Sequence, residues 1–283
     1  MKKGLVLEGG AMRGLFTAGV LDIVMEKGIE FDGAVGVSAG AAFGCNIKSR
    51  QIGRALRYNL KYCSDSRYAS LSNLIKGGNL FSTDFCYGEI PLSLDPFDFD
   101  EYEKNPMEFY TVCTDLESGR AVYHNYTGRT DGGFDWIRAS ASMPLVSQIV
   151  EIDGKKYLDG GIADSIPVKF FEKKGYDKIV VVLTRPKGYI KEKNPLLPIM
   201  RIKYRNYPRF ISAAEYRHVI YNKTLDYIGK KEQKGEIFVI RPPFELPVGK
   251  AESDPERLKE AYEIGRRETE IRLEELKAFL SGN

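Results

Sequence analysis

The sequence predicts an α/β fold with a mostly parallel central sheet flanked by helices, and three observations predict it. Leu5-Val6-Leu7 is a short apolar strand followed by the glycine-rich turn Glu8-Gly9-Gly10-Ala11-Met12-Arg13-Gly14. Leu15, Val20, Leu21 and Val24 then recur at helical spacing up to Lys27-Gly28, where Gly28 caps the helix. A second strand runs from Phe31 to Val37, and Ser38-Ala39-Gly40-Ala41-Ala42 opens another helix, closely packed because its residues are small. Strand, helix, strand, helix in this order makes a parallel pair joined by a right-handed crossover.

The rest of the chain reads in the same terms. Gln51 to Cys63 is helical, and residues 64–107, with their glycines, prolines and aromatics, are irregular. Glu108 to Thr114 and Ala121 to Tyr126 are strands, and Phe134 to Ser142 is a short helix stopped by Pro144. Val146 to Ile152 and Lys156 to Leu158 form a hairpin about Asp153-Gly154. Val168 to Lys174 is a helix, Lys178 to Thr184 a buried strand, residues 186–234 are mixed, and Glu236 to Ile240 is the last strand. Asp254 caps a charged helix that begins at Pro255 and runs to about Leu280. No linker or shift in composition divides the chain. One domain over 1–283 is expected, with a motif-bearing core at 3–185 and residues 186–283 packed on it.

Composition narrows the function classes. At 283 residues and 43% hydrophobic, the chain can bury a large core and is neither disordered nor collagen-like. A net charge of +3 is too mild to imply nucleic acid. Cys45, Cys63, Cys86 and Cys113 form no CxxC pair, and His124 and His218 are the two histidines, so no metal site and no cofactor are expected. The free thiols suit a reducing compartment. The apolar stretch after Met1 is too short for a signal peptide, and no run approaches the roughly 18 apolar residues of a membrane span. A cytoplasmic protein is expected.

Gly36-Val37-Ser38-Ala39-Gly40 is G-x-S-x-G between an apolar strand and a helix of small residues. In a nucleophile elbow the serine sits on a strained turn, and its glycine neighbours approach other backbone too closely for side chains. The following helix directs its positive end at the serine. The alternative is a glycine-rich turn with an incidental serine. A Ser–Asp–His arrangement needs a late histidine, but His218 falls within an arginine- and tyrosine-rich helix and His124 within a strand. Asp159, in Tyr157-Leu158-Asp159-Gly160-Gly161, is the candidate base; a hairpin Asp-Gly-Gly turn is the alternative. The loop Gly9 to Gly14 matches neither nucleotide-binding glycine pattern, and its backbone N–H groups suit an oxyanion hole.

Three motifs therefore stand in order: G-G-x-x-R-G at Gly9–Gly14, G-x-S-x-G at Gly36–Gly40, and D-G-G at Asp159–Gly161. This combination resembles the bacterial patatin-like phospholipases over about residues 3–185. Thr114 to Gly119, Arg138 to Pro144 and Asp159 to Val168 resemble further stretches of that family. The resemblance implies a patatin-like three-layer fold and a serine lipid acyl hydrolase with a Ser38–Asp159 dyad. Ser38 matches the family's nucleophile, Asp159 its general base, and Gly9, Gly10, Arg13 and Gly14 its oxyanion loop, with Ala11 and Ala39 beside them. It implies a lipid or fatty-acyl ester substrate. The family loop commonly has a third glycine where this chain has Ala11, and alanine is expected to hold φ in the ordinary regions. Arg13 either holds the loop through a salt bridge or meets a phosphate. An acyltransferase with the same dyad, or a catalytically idle regulator, are the other readings.

From Arg185 to Lys234 the chain has 13 basic residues against 4 acids, interleaved with tyrosines and followed through the apolar Leu196-Leu197-Pro198-Ile199-Met200. A solvated helical face with core tyrosines, or peripheral contact with an anionic membrane, are the two main readings; nucleic acid is the weaker third.

Overall fold

Two faces of one sheet are apolar, and the alternation along its strands decides which helices cover each. The computed structural model describes residues 1–282. In β1 (Lys3–Leu7) Leu5 and Leu7 point to one layer and Val6 to the other. In β7 (Lys178–Val182) Val180 and Val182 join the first layer, Ile179 and Val181 the second. Strands buried on both faces need helices on both, which gives three layers. The sheet has eight strands, completed by β2 (Gly33–Val37), β3 (Glu108–Asp115), β4 (Ala121–Asn125), β5 (Val150–Ile152), β6 (Lys155–Asp159) and β8 (Ile237–Ile240). Their order is β5-β6-β3-β2-β1-β7-β8, with β4 on β3. The stretch from β3 to β8 is parallel, and β4, β5 and β6 pair antiparallel. The predicted hairpin joins β5 to β6 through Asp153 and Gly154, whose φ of 51° and 72° are those of a two-residue type I′ turn.

The helices, in chain order, are α1 (Gly14–Glu26), α2 (Ala39–Ala42), α3 (Cys45–Lys48), α4 (Arg54–Tyr62), α5 (Leu71–Gly77), α6 (Phe99–Lys104), α7 (Asp135–Ala141), α8 (Val168–Lys173), α9 (Leu197–Lys203), α10 (Pro208–Gln233), α11 (Pro255–Ile271) and α12 (Leu273–Ser281). Four departures from the sequence reading have local causes. The helix expected from Ser38 breaks at Phe43-Gly44, where an added Cβ on Gly44 would stand 2.1 Å from Gly40 O and 2.4 Å from Leu7 Cδ1. Residues 64–107 are not irregular: they hold α5, a π-helical stretch Phe85–Leu94 containing Pro91, and α6. Their apolar residues line a cavity rather than one helix stripe, so no period shows. The mixed segment 186–234 contains the 26-residue α10, whose buried Phe210, Ala214, Tyr221 and Ile228 recur every four or seven residues among charged ones. The charged C-terminal helix breaks at Arg272, whose guanidinium donates to Val239 O and lies 4.2 Å from the centre of the Phe238 ring.

The C-terminal segment is tied into the same sheet. β8 extends it beyond β7, with Ile237 paired to Ile179. α11 crosses α1 at backbone contact: an added Cβ on Gly19 would meet Tyr262 O at 2.1 Å, and one on Gly265 would meet Phe16 O at 2.0 Å. The Tyr262 hydroxyl donates to the buried Asp22 at 2.6 Å, and Arg266 pairs with Glu26. The apolar knob of the sequence reading is divided: Leu197 and Met200 pack with Tyr204 and Phe210 in the core, while Leu196 and Ile199 stay exposed.

Gly265→Ala must separate two helix backbones, and overpacking of this kind costs about 1–3 kcal/mol. The expected result is a urea midpoint lowered with an unchanged slope. A wild-type midpoint would mean that α11 is not held against α1 in this way.

Candidate active site

β2 ends at Val37, and the chain turns sharply at Ser38. Ser38 has φ 56° and ψ −121°, a strained conformation for a residue with a side chain. The surroundings hold it there. The Ser38 N–H donates to Ser140 Oγ at 2.9 Å, and the Ser140 hydroxyl donates to Val112 O at 2.6 Å. A Cβ on Gly36 would stand 2.3 Å from Gly40 O, and one on Gly40 would stand 2.4 Å from Leu7 O, so both flanking positions exclude any side chain. The helix after the serine is the four-residue α2, so its dipole at Ser38 is that of a single turn rather than of a long helix.

Asp159 ends β6 and is followed by a 3₁₀ turn over Gly160–Ile162, not by a hairpin. β3 sets its position. Val37 pairs with Val112, and Asp159 pairs with the next residue of the same strand, Cys113. The two strand ends therefore meet, and the Ser38 hydroxyl donates to Asp159 Oδ2 at 2.6 Å. The other carboxylate oxygen accepts the Gly161 N–H at 2.7 Å. The Asp159 backbone is fixed through its N–H to Ser142 O, 2.8 Å, and its carbonyl to the Thr114 hydroxyl, 2.8 Å. Burial raises the Asp159 pKa above its ordinary value; the Ser38 hydroxyl, the Arg217 charge and the Gly161 N–H oppose that rise without cancelling it.

The loop Gly9–Gly14 lies against the same point. A Cβ on Gly9 would be 2.8 Å from Val37 O and 3.0 Å from Ser38 Cβ, and one on Gly14 would be 2.7 Å from Ala39 Cβ. Gly10 abuts Thr184, at 2.7 Å from Oγ1 by the same measure. Glu8, just before the loop, is buried and accepts the Thr184 N–H at 2.6 Å and the Tyr221 hydroxyl at 2.5 Å. The expectation that Ala11 keeps an ordinary φ is overturned: Ala11 has φ 49°, in the left-handed region where the family's glycine is at ease. The close packing of the loop imposes this φ, and the alanine side chain bears the strain. Arg13 makes no salt bridge among the described residues, and its buried Nε has no hydrogen-bond partner. The turn-fixing salt bridge is thus not its role.

Ser38, Ala11, Met12 and Ala39 line a cavity of about 120 Å³. Its other walls are largely apolar, including Tyr58 of α4, Tyr87 and Ile90 of the π-helical stretch, Phe134, and Met143. Neither histidine is near the pair by its contacts. His124 stacks on Trp136 with centroids 3.8 Å apart and meets Asp131 at 2.6 Å. The His218 ring, on α10, meets the Glu215 carbonyl one turn away. Among the described residues no group of three or more His, Cys, Asp or Glu side chains could hold a metal ion, and no helix is long and apolar enough to cross a membrane. Ser140, Thr114 and Arg217 escape a reading of single motifs. Ser140 lies in the stretch 138–144, where its order in the sequence was the one available signal.

The chain belongs to the patatin-like phospholipase family, whose profile matches residues 5–171. Residues 207–281 match a second profile, described as a domain of unknown function (DUF6363). The uncharacterized protein YjjU of Escherichia coli K12 is 31% identical over 280 residues, covering 93% of this chain and 74% of that protein. Lysophospholipase nte1 of Aspergillus niger is 28% identical over 190 residues, which are 63% of this chain and 12% of that much longer protein. The crystal structure of VipD from Legionella pneumophila aligns with 97% of this chain and 67% of its own, at 12% identity and a TM-score of 0.46.

The strain at Ala11 is open to measurement. Ala11→Gly removes it while adding unfolded-state freedom, so stability should stay within about 1 kcal/mol of wild type. Ala11→Val places a β-branched residue at positive φ and should cost about 1–2 kcal/mol or more. Equal denaturation midpoints for the valine variant and wild type would contradict the left-handed conformation.

Proposed function

We propose that this chain is a serine lipid acyl hydrolase in which Ser38 is the nucleophile and Asp159 the general base. The observation that carries the reading is the buried 2.6 Å hydrogen bond donated to Asp159 by the hydroxyl of Ser38, which lines a largely apolar cavity. Family membership and the lysophospholipases among its relatives support a lipid ester as substrate. The fatty-acyl chain lies in the cavity, and the ester carbonyl meets Ser38. Asp159 accepts the hydroxyl proton as Ser38 attacks. Backbone N–H groups of the Gly9–Gly14 loop, with that of Ala39, hold the oxyanion. The proton passes to the leaving alcohol, and an acyl-serine remains. Water, deprotonated by Asp159, then releases the fatty acid and restores the serine.

A carboxylate is a weak base for a serine hydroxyl, and burial reduces the mismatch by making Asp159 more basic. Access to a membrane surface fits the exposed Leu71, Ile75 and Leu92, which flank the cavity-lining segments, and the positive charge of residues 185–234.

A fluorophosphonate lipid probe should label Ser38, as located by mass spectrometry, and Ser38→Ala should lower turnover about 10⁴-fold or more. His124→Ala and His218→Ala should stay within about tenfold of wild type; a loss equal to that of Ser38→Ala would restore a histidine to the mechanism.

Asp159 must be ionised to accept the proton, so activity should rise with pH through a pKa above that of an ordinary aspartate. Because its folded pKa is raised, the stability linked to this group is greatest when it is protonated and falls as pH rises through that value. Asp159→Asn cannot ionise. It should abolish turnover while melting no lower than wild type at neutral pH. Near wild-type turnover in this variant would return Asp159 to a turn residue.

A further inference from the structure

Around Glu8 and the turn after Asp159 the fold gathers basic side chains from four separate segments. Arg13 comes from the glycine loop, Arg185 and Lys191 from the connection between β7 and α9, Arg217 from α10, and Lys250 from the stretch between β8 and α11. Arg217 donates to Gly161 O, and a point one Cβ out from Gly161 lies 3.2 Å from Arg217 Nη2 and 2.9 Å from Asp159 Oδ1. The guanidinium thus stands next to the carboxylate. Lys191 Nζ lies 4.2 Å from the centre of the Tyr221 ring, and the hydroxyl of that ring is bonded to Glu8 at the start of the oxyanion loop. Arg185 lies 4.4 Å from the centre of the Tyr189 ring, which sits edge-on to Tyr221. Lys191 and Lys250 each feel the charges of Arg13, Arg185 and Arg217, and Lys250 also that of Asp159.

Of these five cations, Arg185 pairs with Glu245, and the other four make no salt bridge among the described residues. Glu8 and Asp159 are the nearby acids, and both are already taken up by hydrogen bonds from Thr184, Tyr221, Ser38 and Gly161. With Lys191 protonated, as a bound anion would keep it, five positive charges against Glu8, Asp159 and Glu245 leave a local excess of +2. Like charges that act on one another repel, and of the five only Lys250 is exposed. Burial and the arginines together push Lys191 down to about 7. A bound anion offsets that repulsion, and arginine forks with lysine points suit a phosphate.

We propose that Arg13, Arg185, Lys191, Arg217 and Lys250 form a subsite for the phosphate of the acyl ester that Ser38 attacks, favouring a net-anionic phosphate over one carrying a quaternary ammonium. This rests on the hydrolase reading above and names its substrate class. A phosphomonoester carries about −1.5 to −2 at neutral pH, which matches the excess. A choline headgroup brings a cation into a positive field. Four of the five residues lie outside the stretch matched by the family profile, and Arg217 and Lys250 lie within the segment of unknown function. That segment would therefore supply headgroup selection to a family core.

The test uses the full chain and three esters with one acyl chain: 1-acylglycerol 3-phosphate, its phosphocholine counterpart, and neutral monoacylglycerol. Wild type should prefer the phosphomonoester. In Lys191→Gln/Lys250→Gln the ratio of kcat/KM for phosphomonoester over neutral ester should fall tenfold or more, mainly through KM, while Lys191→Arg keeps it. Inorganic phosphate, against chloride at equal ionic strength, should raise the wild-type melting temperature and raise that of the double variant less. An unchanged ratio in a double variant that still melts cooperatively overturns the proposal. A phosphate-dependent melting shift with an unchanged ratio assigns the cluster to free phosphate and overturns it as a headgroup site. If wild type hydrolyses none of the three esters, the hydrolase reading itself falls and the substrate assignment with it; the melting shift then decides whether the cluster binds phosphate at all.

Discussion

Strand β3 is the ruler on which the site is laid out. Val112 and Cys113 are consecutive residues of one strand, and they fix the ends of two strands that are 121 positions apart in the chain at Ser38 and Asp159. β2 runs parallel to β3 and leaves it at Ser38; β6 arrives antiparallel and leaves it at Asp159. A slip of one residue in either pairing would turn every side chain of that strand to the other face. Register is therefore what brings hydroxyl and carboxylate to hydrogen-bonding distance. Ser140 reinforces it, since its hydroxyl links the Ser38 N–H to the Val112 carbonyl.

That placement is buried, and burial has two opposed effects. It makes the Asp159 carboxylate a stronger base, and it destabilises the fold that must hold the ionised group. Hydrogen bonds from Ser38 and Gly161 reduce the second effect without removing the first. Strain adds to it. Ser38 and Ala11 both sit at positive φ within the site, where the surrounding packing over-determines them. The core around the sheet supplies the stability that this concentration of unfavourable terms requires.

The C-terminal third is part of that support. β8 extends the sheet, α11 presses on α1 at glycine contacts, and α10 covers the opposite face with Tyr221 and Ile228. α10 also sends Arg217 to the Gly161 carbonyl and Tyr221 to Glu8. The same helix thus packs the core and reaches both the turn after Asp159 and the residue before the Gly9–Gly14 loop. The positive charge of residues 185–234 is accordingly divided: part is solvated, and part is turned inward beside the site.

The sequence by itself determined the α/β layering, the parallel start of the sheet, the hairpin at Asp153-Gly154 and the candidates Ser38 and Asp159. The first three are local, an apolar run, a helical period and a turn pair, while Ser38 and Asp159 stood out through the order of three motifs along the chain. Segments 64–107 and 186–234 were opaque because their apolar residues answer to a cavity or to a narrow stripe, and neither leaves a regular period. Only the tertiary structure decided the 2.6 Å approach of Ser38 to Asp159, because that distance depends on the register of two strands against a third. It alone decided the left-handed Ala11, since loop packing overrode the residue's own preference. It also decided the fate of Arg13, Lys191, Arg217 and Lys250, because which charges find partners is a matter of position in space and not of order along the chain.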